Sequence, residues 1–200
     1  MPTVPLDQAT DMVALAAVRL GPGASLEEAL QQRRSTRSFL ADALPLEMLS
    51  SLLWCAFGVN RPDTGGRTAP SAHNGQEIDI YVVLPEGSFR YDARAHRLML
   101  VTADDLRGLT GSQDFVAGAP LNLVYVADFS RMAQAAASDR EFLAGVASGC
   151  IAQNVYLACA AHGLGTVVRG LVDRRRLAPA LRLRATQRVT LAQTVGFPGP

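Results

Sequence analysis

The strongest pattern in the chain is the apolar run Leu121-Asn122-Leu123-Val124-Tyr125-Val126-Ala127, which predicts a central strand covered on both faces. Ile78-Asp79-Ile80-Tyr81-Val82-Val83-Leu84 predicts a second strand, followed by a turn at Pro85-Glu86-Gly87. Residues 89–91 and 97–101 read as short strands of a meander, and residues 189–195 as a last strand. Val167-Val168 reads as a short extended piece.

Helical spacing marks the remaining elements. Ser25-Leu26-Glu27-Glu28 has the form of a capping box, so a helix is expected from there to about Arg33–Ser35, with Leu26, Ala29 and Leu30 as its buried side. Pro45 opens a second helix, on which Leu46, Leu49, Leu52, Leu53 and Ala56 recur at helical spacing until Gly58 stops it. Trp54 and Phe57 on it read as core or interface. Thr102 is expected to cap a short helix over 104–109. Residues 139–162 give the longest helical pattern, apolar almost all round, with small residues at 144, 145, 147, 148 and 149. Such a helix is packed on several faces, one of them suited to a subunit interface. His162-Gly163 is its C-terminal cap, and Asp173 caps a further helix to about Leu183, with Pro179 demanding that it be short or kinked.

Residues 1–24, broken by Pro2, Pro5, Gly21, Pro22 and Gly23, read as an irregular N-terminal arm, and residues 25–200 as a single domain. Two hundred residues suffice to bury a good core. A net charge of +1 argues against a nucleic-acid partner. Charged residues are 18% of the chain, below the usual quarter, which leaves apolar surface for a partner chain to cover. Cys55, Cys150 and Cys159 lie in apolar helical patterns without C-x-x-C spacing, so they read as small buried hydrophobes and imply neither disulfide nor zinc. No apolar run reaches the ~18 residues of a membrane helix, and no basic region precedes the apolar stretch 12–20 as in a leader. A cytoplasmic location and no membrane insertion are therefore expected.

Candidate chemistry concentrates in three places. Arg33-Arg34-Ser35-Thr36-Arg37 holds three arginines at a helix end, suited to phosphate oxygens and a flat polar ring. Pro70-Ser71-Ala72-His73-Asn74-Gly75-Gln76 closes a long loop over 60–77 of the kind that usually carries function. Gly163-Leu164-Gly165 is followed by Val168-Arg169-Gly170. No nucleophile triad and no metal-ligand set stand out. His73 faces substrate or, as is commoner for a loop histidine, solvent; His96 and His162 read as structural, and Tyr91, Tyr125 and Tyr156 as core or interface. Arg61 and Arg67 read as solvated loop arginines.

In this order, R-R-S-x-R, P-S-x-x-N-x-Q before a strand, and G-L-G with R-G after a long helix resemble the nitroreductase-like FMN flavoproteins, from about residue 25 to the end. Leu52-Leu53-Trp54, Arg67 to Ala72 and Arg90-Tyr91-Asp92 resemble the subgroup that includes the azoline-forming peptide dehydrogenases. The resemblance implies an α+β fold, a central mostly antiparallel sheet flanked by helices, and an intertwined homodimer with FMN at the subunit interface. It implies that Arg33 and Arg37 meet the phosphate and ribityl end, and that Arg34 and Ser35 meet the pyrimidine edge. Pro70, Ser71 and Asn74 would close the site from the other subunit, with Gln76 near the ribityl chain. Val168, Arg169 and Gly170 would pass beside the ring, the Gly170 amide near N5. One departure stands out: the chain ends Gly196-Phe197-Pro198-Gly199-Pro200, without the cation that many members carry past the last strand. Arg169 is a substitute at the phosphate, or Arg33 and Arg37 hold it alone.

The implied activity is NAD(P)H-driven, ping-pong reduction of a small nitroaromatic, quinone or related acceptor, with no catalytic side chain because the flavin carries the redox step. Two other readings stay open: a dehydrogenase of a modified peptide or small metabolite, and a flavin-binding protein without turnover.

Overall fold

The structure, a computed structural model, describes Val4, residues 11–19, Gly21 and residues 23–200. The breakers Pro2, Pro5 and Pro22 lie outside the described residues. The elements follow in the order β1 (Met12–Ala14), α1 (Leu26–Gln32), α2 (Leu46–Phe57), β2 (Val59–Arg61), β3 (Gly66–Arg67), β4 (Ile78–Leu84), β5 (Gly87–Asp92) and β6 (Arg97–Thr102). They continue with α3 (Phe115–Gly118), β7 (Leu121–Asp128), α4 (Arg140–Ala161), β8 (Gly165–Arg169), α5 (Arg174–Ala180) and β9 (Gln187–Gly196).

A seven-stranded sheet runs β1-β6-β5-β4-β7-β9-β8, and every pairing among the described residues is antiparallel. The α+β architecture expected from the chain is thus the observed one. The apolar run at 121–127 does form an interior strand: every residue of β7 is buried, between β4 and β9. Two apolar layers cover the sheet. Leu49, Leu53, Ile80, Leu123 and Ile151 belong to the larger one, which α2 and α4 complete. Val83, Val124, Val126, Leu177 and Leu181 belong to the smaller one, under α5.

Local signals explain the helix ends. The Ser25 capping box is complete: Glu28 N–H donates to Ser25 Oγ (3.2 Å), and Ser25 N–H donates to the Glu28 carboxylate (2.7 Å). Asp173 accepts from the Arg175 and Arg176 amides, and α5 stops at Ala180, one residue past Pro179. Gly163 follows α4 in the left-handed region at φ +69°, which suits glycine.

The structure corrects several expectations. Only Ala29 of α1 is buried; Leu26 is 61% and Leu30 52% exposed, because this short helix packs on α4 and none of the other described elements covers its outer side. Residues 104–109 hold only a 3₁₀ turn at Arg107–Leu109. There Thr102 binds Asp104, taking the Asp104 amide (3.3 Å) and donating to its carboxylate (2.8 Å). Cys159 alone of the three cysteines is buried; Cys55 and Cys150 are half-buried. The arm contributes an edge strand, β1, paired with β6. His96 ties that arm down: its Nε2 lies 2.7 Å from Ser50 Oγ and 3.2 Å from the Ala16 carbonyl, and its Nδ1 lies 3.0 Å from the Tyr91 hydroxyl. Burial lowers the His96 pKa, which favours the neutral ring. By length and average composition α4 is apolar enough to cross a membrane, although Gln153 and Asn154 interrupt its apolar run. Its buried side chains, among them Ala144, Ile151 and Val155, are core residues here.

Beside β4, Glu77 is fully buried and neither carboxyl oxygen has a hydrogen-bond partner. Burial raises its pKa, against smaller lowering effects from its own backbone and Arg131. A raised acid binds more protons folded than unfolded. Its contribution is fully present below the unfolded carboxyl pKa of about 4.3 and is lost as pH rises through the folded value. Glu77→Gln, which fixes the neutral shape, should therefore match wild type near pH 4 and exceed it at pH 8. Urea midpoints at the two pH values measure the difference; a constant gap would mean that Glu77 does not titrate in this way.

Candidate functional site

The loop after α1 is fixed by backbone bonds at both ends. Thr36 N–H donates to the Thr166 carbonyl (2.9 Å) on β8. Leu40 N–H donates to the Phe197 carbonyl (3.0 Å), and Gly199 N–H to the Ser38 carbonyl (2.9 Å). Gly165 permits this approach, since a Cβ there would lie 2.9 Å from Thr36 Cγ2. The C-terminal segment thus lies beside the arginine cluster, and Pro198 lines the cavity below without adding charge.

That cavity, about 600 Å³, lies between the cluster, the end of α4 and the start of β8. Its volume falls in the range of small-molecule sites. Arg33, Arg34 and Thr36 line one side; Tyr156, Gly165 and Thr166 line the other. The Arg33 guanidinium stands 5.4 Å from the centre of the Tyr156 ring. Ser35 Oγ is 2.8 Å from the Tyr156 hydroxyl, which also accepts the Val168 amide (3.0 Å). Arg34 and Arg37 are exposed, and Arg37 is not among the residues lining the cavity. None of the ion pairs among the described residues uses Arg33, Arg34 or Arg37, so their charge is available to an anion.

The second cluster folds on itself. A 3₁₀ turn covers Ala72–Asn74, and His73, Asn74 and Gln76 all have φ near +50° (53°, 51° and 49°). Left-handed backbone at non-glycine residues is held strain, and it collects at functional sites. Ser71 Oγ accepts the Gln76 amide (2.9 Å). The Gln76 side chain accepts from Arg67 Nε (2.9 Å) and donates to Gly65 O and Asn74 Oδ1. Arg131 donates to the Gln76 carbonyl (2.9 Å) and pairs with Asp79 (2.6 Å). Arg67 is therefore a buttress of this loop rather than a solvated residue. Pro70 is exposed. Within one chain, no hydrogen bond among the described residues joins this cluster to the arginines, and neither Ser71, Asn74 nor Gln76 lines their cavity.

Of the third cluster, Val168 is half-buried and bonded to Tyr156, while Gly170 is exposed with nothing within 4 Å of where a Cβ would stand. The Arg169 side chain departs from expectation. It is buried among Thr110, Asn122 and Thr194 and does not line the arginine cavity. Tyr156 is the residue that sequence reasoning passed over. One tyrosine in an apolar helix carries no local signal, and only the fold brings it to Ser35 and β8.

An α+β sheet here carries an arginine cluster, outside the ion pairs among the described residues, over a glycine-flanked edge strand. Residues 30–197 match the nitroreductase family, and the chain belongs to that family of oxidoreductases. It is 31% identical over 170 residues to a candidate nitroreductase of Methanocaldococcus jannaschii, covering 80% of this chain and 85% of the relative. The crystal structure of a candidate nitroreductase from Ralstonia eutropha JMP134 superposes with a TM-score of 0.91 at 44% identity, over 100% of this chain and 95% of that one. A candidate nitroreductase from Desulfovibrio desulfuricans, solved in complex with FMN, shares the fold at TM-score 0.65 and 23% identity, with 88% of each chain covered.

Tyr156→Phe should remove both bonds to its hydroxyl and leave the Val168 amide unpaired, at a cost of about 1–3 kcal/mol. Chemical denaturation checks this; an unchanged midpoint would mean that the Tyr156 bridge contributes nothing net.

Proposed function

We propose that the protein is an FMN-dependent oxidoreductase that uses NAD(P)H to reduce a small nitroaromatic, quinone or related acceptor in ping-pong order. The observation that carries this reading is the cavity in which Arg33 and Arg34, free of carboxylate partners, face the glycine-flanked start of β8. These residues fit the cofactor: two unpaired guanidinium groups for phosphate or ring oxygens, and an open Gly170 where backbone can approach a flat ring. FMN, when bound, supplies the hydride chemistry.

The chain's own residues bind and orient. Arg33 and Arg37 hold the phosphate and ribityl end, and Arg34 and Ser35 hold the polar edge of the ring. The Tyr156 hydroxyl fixes Ser35 against β8. Pro70, Ser71 and Asn74 complete the site from a second copy. Their separation from the cavity within one chain supports this. So do the apolar side chains left uncovered on α1 and α4: Leu26, Leu30, Phe142 (71% exposed) and Val146 (49%).

Purified protein should show flavin absorption at about one FMN per chain, and anaerobic NAD(P)H should bleach it. A colourless protein that takes up no added FMN would refute the reading. Arg33→Ala combined with Arg34→Ala should weaken FMN binding by at least about 100-fold, since each charge-assisted bond contributes roughly 1.5–3 kcal/mol. Fluorescence titration of the apoprotein reads this directly.

A further inference from the structure

Arg169 is a buried cation that the proposed reaction does not use. Its side chain is 5% exposed. Nη1 donates to the Thr110 carbonyl (2.7 Å), and Nη2 to Asn122 Oδ1 (2.9 Å) and Thr194 Oγ1 (3.0 Å). All three acceptors are neutral, and none of the ion pairs among the described residues includes Arg169. Nε is buried without a partner. Burial lowers its pKa to about 10, which leaves it charged at neutral pH. The chain keeps space for it: a Cβ on Gly111 would lie 1.9 Å from Nη1. Arginine is rarely buried unless paired, and besides its neutral acceptors this guanidinium meets only the Phe115 ring, 6.0 Å to its centre, among the described residues.

Arg169 shares β8 with the wall of the arginine-lined cavity. Thr166, on that cavity's wall, lies three positions back along β8, on the order of 10 Å at strand spacing. An odd offset places the two side chains on opposite faces of the sheet. A chain of bonds joins them: Thr166 Oγ1 donates to the Thr194 carbonyl (2.7 Å), and Thr194 Oγ1 receives Arg169. Cations at the exposed lip of the cavity are screened by water and salt, whereas a charge enclosed behind the sheet is screened far less.

We infer that Arg169 is a positioning residue for the redox step, a fixed charge behind β8 that makes the cavity favour the more negative state of its ligand. This rests on the FMN reading above. A flavin ring gains negative charge on reduction, so the charge binds the reduced form more tightly and raises the reduction potential. Only such a difference between two states moves an equilibrium.

The test is an anaerobic, dye-linked redox titration of FMN-loaded wild type, Arg169→Met and Arg169→Gln. Both substitutions should lower the preference for reduced over oxidised flavin by about tenfold, which is about 30 mV more negative for a two-electron couple. At pH 6, Arg169→Lys restores a cation and should recover the wild-type value. Should Arg169→Met fail to fold, Arg169→Gln, which keeps a donor for Asn122 and Thr194, carries the comparison. A wild-type potential in Arg169→Gln, or no recovery with lysine, would overturn the inference. FMN stoichiometry on the same samples separates the two ideas. Wild type without FMN sinks the cofactor reading; one FMN per chain with an unmoved potential sinks only the role of Arg169.

Discussion

The site depends on one backbone hydrogen bond, from the Thr36 amide to the Thr166 carbonyl (2.9 Å). It fastens the loop after α1 to β8 in the middle of the arginine cluster. The bonds of Leu40 to Phe197 and of Gly199 to Ser38 fasten the far end of the same loop. A loop held by its backbone leaves its side chains uncommitted. Had salt bridges held it, the same arginines would be placed but their charge would be spent inside the protein. Because the main chain carries the order, the backbone entropy of bringing three arginines together is lost on folding, before any ligand arrives.

The two faces of β8 then have different tasks. Toward the cavity, Gly165 and Thr166 form a wall, and the Val168 amide is held by Tyr156. Away from it, Arg169 enters a polar pocket built by β7, β9 and the turn at Thr110. Strand alternation alone makes this division. It also explains why Arg169 is not among the residues lining the cavity. A residue next in sequence to Val168 and Gly170 faces the opposite side of the sheet from Val168.

The strands were legible because their patterns are intrinsic: alternation or full apolarity over seven residues identifies β4 and β7 whatever surrounds them. The Ser25 box and the Asp173 cap were legible for the same reason, as short-range hydrogen bonding. Leu26, Leu30, Phe142 and Val146 were read as buried or packed because apolarity at helical spacing does not say what lies opposite. Among the described residues of one chain nothing covers them, and the same pattern serves an interface as well as a core. The edge strand β1 has three residues and no alternation long enough to read, and the hairpin of β2 and β3 is shorter still on one side. The arginine cluster was legible as a composition. Its meeting with Tyr156, 121 positions on from Ser35, is a product of topology.

Asn122 is the clearest case of a signal present in the sequence but silent without the fold. It interrupts the most apolar strand of the chain and is fully buried. A buried amide without partners is costly, so it must be satisfied. Asn122 donates to the Val116 carbonyl (3.0 Å), and its oxygen accepts from both Arg169 (2.9 Å) and Thr194 (2.6 Å). Gln193 and Thr194, equally polar within β9, continue the chain to Thr166 and Tyr125. Apolar residues at Asn122 and Thr194 would give a simpler core, but a guanidinium among them would be without acceptors. The polar breaks in β7 and β9 and the buried arginine of β8 therefore form one hydrogen-bonded unit. A unit of this kind, kept beside the cavity wall without an acidic partner, points the same way as the free arginines at the lip. None of these arginines is used by an ion pair among the described residues.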